Sequence, residues 1–189
     1  MIHIIANVIS GQSFMLIQVT SGHNHFDAQL CRSVLLLVNS CMERQEQRGY
    51  RCHPHLEIAF LSFFLIFRRT FVNDQKSFAI IREYEDRENG PIPMRAEVGL
   101  ILDDLAKAYR DFFIKVGFSD ISETMSFIWD KICKNLRDWV DNEMVISESL
   151  KLLLDISGGY ESSLLLLKLK NVQFVLEHHT VFLEITVHR

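Results

Sequence analysis

Residues 55–75 read HLEIAFLSFFLIFRRTFVNDQ, and the fold class turns on them. Leu56, Ala59, Phe60, Phe63, Phe67 and Phe71 recur at steps of three and four, the spacing of one helix face. Leu61, Phe64, Leu65 and Ile66 widen that face almost all round. A helix apolar over most of its circumference must be covered on both flanks, as an inner helix of a stacked array is. Pro54 stands where the first turn of a helix has no partner for the N–H that proline lacks. The apolar run from Leu56 to Phe67 contains Glu57 and falls short of the roughly 20 residues a bilayer span needs. Its phenylalanines therefore read as core, not as a ligand box.

Working outward, helix follows helix. Ile2, Ile4, Ile5, Val8 and Ile9 mark a first segment from Met1 to about Ser10. Leu30, Val34, Leu37, Val38 and Cys41 line one face of a second, from Phe26 to about Arg44, with Asp27 in its opening turn. Residues 76–93 alternate in charge and close on Asn-Gly-Pro-Ile-Pro, the signature of a helix end and loop. Val98, Ile101, Leu102, Leu105, Ala108, Tyr109 and Phe112 give a face to the helix from Met94 to Val116, with Gly117 fit to end it. Asp120 and Glu123 have capping-box spacing ahead of a helix that carries Met125, Ile128, Ile132, Leu136 and Trp139. Ser147 is the expected cap of the next, with Leu150, Leu153 and Leu154, and Gly158-Gly159 its stop. A last helix is expected over residues 162–179, and residues 181–189 form a tail without a clear pattern. A helix plus its neighbour takes roughly 40 residues, the period of helical solenoid repeats. Periodicity leaves an irregular helical bundle as the alternative.

Composition agrees with long helices. Of 189 residues 48% are hydrophobic, Phe occurs 14 times and Pro only 3 times, so breakers are scarce. A formal charge of −4 argues against nucleic acid as a partner, since phosphate binding needs clustered Lys and Arg. The paired Arg68-Arg69 reads as a solvated helix terminus. Residues 1–20 carry no Lys, Arg, Asp or Glu, but Asn7, Ser10, Gly11, Gln12, Ser13 and Gln18 interrupt them, so neither a signal peptide nor membrane insertion is expected. Cys31, Cys41, Cys52 and Cys133 follow no disulfide framework, and Cys31 and Cys133 sit in helical apolar patterns as small buried hydrophobes.

Few residues suggest chemistry. Cys52-His53-Pro54-His55, with Cys41, His23 and His25 upstream, gathers metal-ligand types, but their spacing is not that of a structural zinc site. His178-His179 reads as a dipole-complementing pair near a helix end. Asp103-Asp104 and Asp138/Asp141 read as solvated faces. Ser157-Gly158-Gly159 follows a helix, whereas phosphate cradles precede one. No nucleotide-binding, hydrolase-elbow or zinc-protease motif occurs. The expectation is a protein with no catalytic, cofactor-binding or metal site and no cofactor, whose partner-binding residues are not readable.

Beyond physics, the series is similar to a known family. Residues 55–75 resemble the exportin-7 or Ran-binding protein 16/17 family of the importin-β superfamily. The resemblance continues in AYRDFFIKVGFSDISETMSFIWDKICKNLRDW (108–139) and SLKLLLDISGGYESSLLLLKLKNVQFVLEHHT (149–180). LCRSVLLLVNS (30–40) and IIANVISG (4–11) precede them in the same order. It implies an all-α solenoid of HEAT-like antiparallel helix pairs, about six to seven helices in one segment over 1–189, with 76–105 as a divergent insertion or a loop plus helix. It further implies an internal fragment of a nuclear export receptor that binds protein cargo with Ran-GTP and meets nucleoporins, in the nucleus, the cytoplasm and the nuclear pore complex. The receptor regions that engage Ran-GTP have no counterpart in these segments. A helical scaffold or interaction module without transport activity is the alternative.

Overall fold

The computed structural model describes residues 25–72 and 110–169, together with Ile2, Lys107 and Val172. Among them every regular element is a helix. These are α1 (His25–Arg48), α2 (Pro54–Phe71), α3 (Ile121–Asp138), α4 (Glu143–Ser157) and α5 (Tyr160–Leu166), with residues 110–116 also helical ahead of α3. The all-α, solenoid-like expectation therefore holds. The expected first helix (but for Ile2), the stretch 76–105, His178-His179 and the tail 181–189 lie outside the described residues.

Local signals explain most boundaries. α1 buries Ala28, Cys31, Val34, Leu35 and Val38 at helical steps and leaves Arg32, Ser33, Leu36 and Leu37 exposed. It runs four residues past Arg44 and ends where Gly49, at φ +64°, bonds its N–H to the Gln45 carbonyl at 2.8 Å. α2 starts on Pro54, and the His53 ring accepts from the His55 N–H at 3.3 Å. Gly117, at φ +111°, closes the 110–116 helix, and its N–H and that of Phe118 both reach the Phe113 carbonyl at 2.9 Å.

At the start of α3, Asp120 accepts from the Glu123 N–H at 2.8 Å as the Asp-x-x-Glu spacing predicts. The return arm differs: Glu123 accepts from the N–H of Ser119 at 2.6 Å and its hydroxyl at 2.7 Å. The start of α4 corrects the sequence reading. Its cap is Asn142, which accepts from the Val145 N–H at 3.2 Å, and Ser147 lies inside the helix. Burial explains the extra turn, because Val145 and Ile146 are both core residues and helical geometry turns them inward. The Gly158-Gly159 stop is a double cap: Gly158 closes α4, and Gly159 opens α5 two residues before the expected Ser162.

Packing joins helices both adjacent and distant in the chain. α2 lies on α4, while α3 and α4 form a hairpin against which α5 packs. α1 reaches α3 through side chains, with Gln45 on Asp138 and Lys134 on Met42. Helices distant in the chain thus meet, as the stacked helix pairs of an array do. The core is aromatic: Phe60, Phe63, Phe64, Phe67 and Phe71 are all fully buried. Phe71 stacks on Phe112 with centroids 4.2 Å apart, and Phe64 meets Phe127 of α3 edge-on at 6.0 Å. Each such ring contributes about 1.5–3 kcal/mol by leaving water, so α2 is the element that holds the array together. Among the described residues no helix is long and apolar enough to cross a membrane.

Candidate partner-binding surface

The ligand-type residues do not converge. His53 and His55 stack on each other at 5.2 Å and face solvent. Cys52 turns inward, and its thiol donates to Glu57 Oε1 at 3.0 Å. Burial, and then that hydrogen bond, push the Cys52 thiol far above the usual range. Burial also raises Cys41, with the Glu57 charge adding to it, and pushes Cys133 up to about 12. Held protonated, these thiols are poor nucleophiles and poor ligands. Among the described residues no three His, Cys, Asp or Glu groups are placed to hold a metal. His23, Asp103 and Asp104 lie outside those residues, and the side chain of His25 is also undescribed. Cys31 and Cys133 are buried, as expected.

The described surface is built from helix faces and two adjacent loops. In the first loop Arg51 makes a bidentate pair with Asp141 of the second, at 2.5 and 3.0 Å, and also donates to the Asp138 carbonyl at 2.8 Å. Its guanidinium lies 5.1 Å over the Trp139 ring. The Arg51 hydrogen bond holds the Asp141 carboxyl below its ordinary range, and the Asp141 partner raises Arg51 in turn. This clasp brings exposed Tyr50, Val140 and Met144 to one loop edge. Beside it, Ser40, Glu43, Arg44, Gln47, Arg48 and Tyr50 line a groove of about 710 Å³ on α1. Other exposed apolar side chains are Leu36 and Leu37 on α1, Ile114 on the 110–116 helix, and Leu154, Leu164 and Leu167 around α4 and α5. Such surfaces can hold a protein partner by area and shape.

Several charged residues prove structural instead. Arg68 and Arg69 are not a solvated end: both bind Asp155 of α4, at 2.8 and 2.7 Å, and the Arg68 side chain is only 12% exposed. The arginines sit in the last turn of α2 and α2 lies on α4, so packing brings them to a carboxylate instead of to water. Asp138 likewise accepts from Gln45 at 2.7 Å. Inside, Lys131 Nζ meets Glu57 Oε2 at 2.5 Å, with the side chains 0% and 1% exposed. Sequence reasoning missed that pair. Half of a signal was there: Glu57 is the one acidic residue of α2, but Lys131 is one of six charged residues on α3.

Helices stacked through wide apolar sides, with a polar clasp between two of their loops, define a helical-repeat segment. The comparisons name the family: a model described as "Exportin-7-like, TPR domain" matches residues 1–188, and the chain belongs to that family. It is 31% identical over 180 residues to Exportin-7-B of Xenopus laevis. Identity is 29% over 180 residues to Ran-binding protein 16 of Drosophila melanogaster and 27% over 180 residues to Ran-binding protein 17 of Homo sapiens. Each match covers 95% of this chain, which spans 14% of the relative's length. No solved structure matches.

Proposed function

We propose that the chain works as a segment of a nuclear export receptor, binding protein cargo in a Ran-GTP-dependent manner, and that it is not an enzyme. One observation carries the reading: the family match runs the length of a chain whose described helices stack as an array. In such an array the apolar sides are consumed by neighbouring helices, and outer faces and loops remain for partners. Cargo and Ran are the partners proposed, and nucleoporins a third class, met in the nucleus, the cytoplasm and at the pore. Coupling to Ran would draw on receptor regions beyond these helices.

A pull-down with Ran loaded with GTP or with GDP tests this, run on the full gene product and on the 189-residue chain. The expected result is GTP-dependent capture by the full product and none by the chain. Equal capture in both nucleotide states, or none by the full product, removes the transport assignment and leaves a scaffold without transport activity.

A further inference from the structure

We infer that the buried Glu57–Lys131 pair is a register lock, which fixes how α2 sits against α3 and adds little to how strongly it binds there. The argument starts from α2. Ala59, Phe60, Leu61, Phe63, Phe64, Phe67 and Phe71 are all buried, so the helix is apolar on most sides. A surface of that kind adheres strongly but carries little positional information, because a neighbouring ring can fill a ring's place after a slip or a rotation. Its charged residues are at the two ends. Glu57 in the first turn meets Lys131 of α3, and Arg68 in the last turn meets Asp155 of α4.

The Glu57–Lys131 pair is poorly built for stability. Lys131 has three N–H donors, and Glu57 is its one carboxylate partner within 4 Å among the described residues, with the Phe60 ring 5.9 Å away. On the other side, among the described residues, the Glu57 carboxylate accepts a hydrogen bond from the Cys52 thiol. Two fully desolvated charges with so few supporting hydrogen bonds recover their desolvation cost incompletely. A carboxylate in the first turn of α2 suits the helix dipole, but that leaves a wholly buried lysine on α3 unexplained. The lock explains both. Sliding α2 by one turn, about 5.4 Å, would part the charges inside an apolar core with no water to replace either partner. Alternative registers are therefore excluded by what they would leave unpaired.

The test uses the whole 189-residue chain and four variants: Glu57→Leu, Lys131→Met, both together, and the charge swap Glu57→Lys with Lys131→Glu. Thermal melting reads stability, and amide NMR spectra read how many packings coexist. Each single change is expected to lower Tm by roughly 10 °C, since each strands one buried charge. The apolar double change should restore Tm to within about 3 °C of the parent yet show more than one set of amide signals around α2 and α3. The swap should keep one set. An apolar double variant with a single set overturns the inference, because register then survives without charges. Failure of that variant to recover Tm also overturns it, by showing that the pair supplies net stability. So does a swap that shows several sets.

Discussion

The seam of α2 with the 110–116 helix and α3, and the seam of α1 with α3, solve the same stacking problem by opposite means. Where α2 meets its neighbours, phenylalanine rings interlock and Phe71 stacks on Phe112. The contact is strong because much apolar area leaves water. Where α1 meets α3, directional bonds are conspicuous: Gln45 on Asp138, and Lys134 on the Met42 carbonyl and on Glu46. Each of these exchanges a bond to water for a bond to protein, so its net contribution is small but its geometry is strict. At the α2 seam rings supply most of the adhesion, with one buried charge pair set among them, while polar bonds align the α1 seam. A surface that binds by shape needs both, since the loop edge at Tyr50, Val140 and Met144 is placed by contacts that reach from one helix pair to the next.

The sharpest way to break this contrast is to empty the aromatic seam. Phe67 is fully buried and touches Phe63, Phe71 and Phe112. Phe67→Ala should cost about 3–5 kcal/mol, read by chemical denaturation, and should loosen the 110–116 helix along with α2. A loss under about 1 kcal/mol would mean that the rings do not carry the adhesion assigned to them. Next in size is Asp155→Ala. Arg68 would keep its burial and lose its carboxylate, at an expected cost of about 2–3 kcal/mol. Arg69→Ala, on a side chain 61% exposed, should cost well under 1 kcal/mol. Equal losses from the two would contradict a buried anchor with an exposed companion. On the alignment seam, Lys134→Met keeps the stem and removes two bonds, for about 1 kcal/mol. A loss as large as that of Phe67→Ala would erase the distinction between the seams.

What could be read in advance follows the same division. The stripe of α2, the Asp120 cap and the glycine stops depend on residues within one or two turns of each other, and periodicity sees that range. The start of α4 was misplaced because Asn142 and Ser147 are both good caps, and the burial of Val145 and Ile146 decided between them. The polar contacts were illegible for a different reason. Gln45 and Asp138 are 93 positions apart, Arg68 and Asp155 are 87 apart, and no local pattern links them. Reading Arg68-Arg69 as a solvated end was reasonable for an isolated helix and failed once α4 supplied a carboxylate. The inward turn of Cys52 toward Glu57 had no local signal either.

A further small effect is expected at the helix start that local sequence described best. Asp120→Ala removes the acceptor for the Glu123 N–H and should cost about 1 kcal/mol. The opposite arm predicts a pH dependence. Glu123 accepts from the N–H and then the hydroxyl of Ser119, and these bonds hold its carboxyl below the ordinary 4.5. A carboxylate with a depressed folded-state pKa stabilises fully above its unfolded value, and that contribution fades as pH falls through the folded value. The stability gap between the parent and Glu123→Gln should therefore be constant from pH 7 to about pH 5.5 and shrink below about pH 4.5. Denaturation midpoints collected over that range measure it. Because the group is exposed, the gap is expected to be smaller than that of Lys134→Met. A gap that widens in acid would place the protonated form, not the carboxylate, on Ser119.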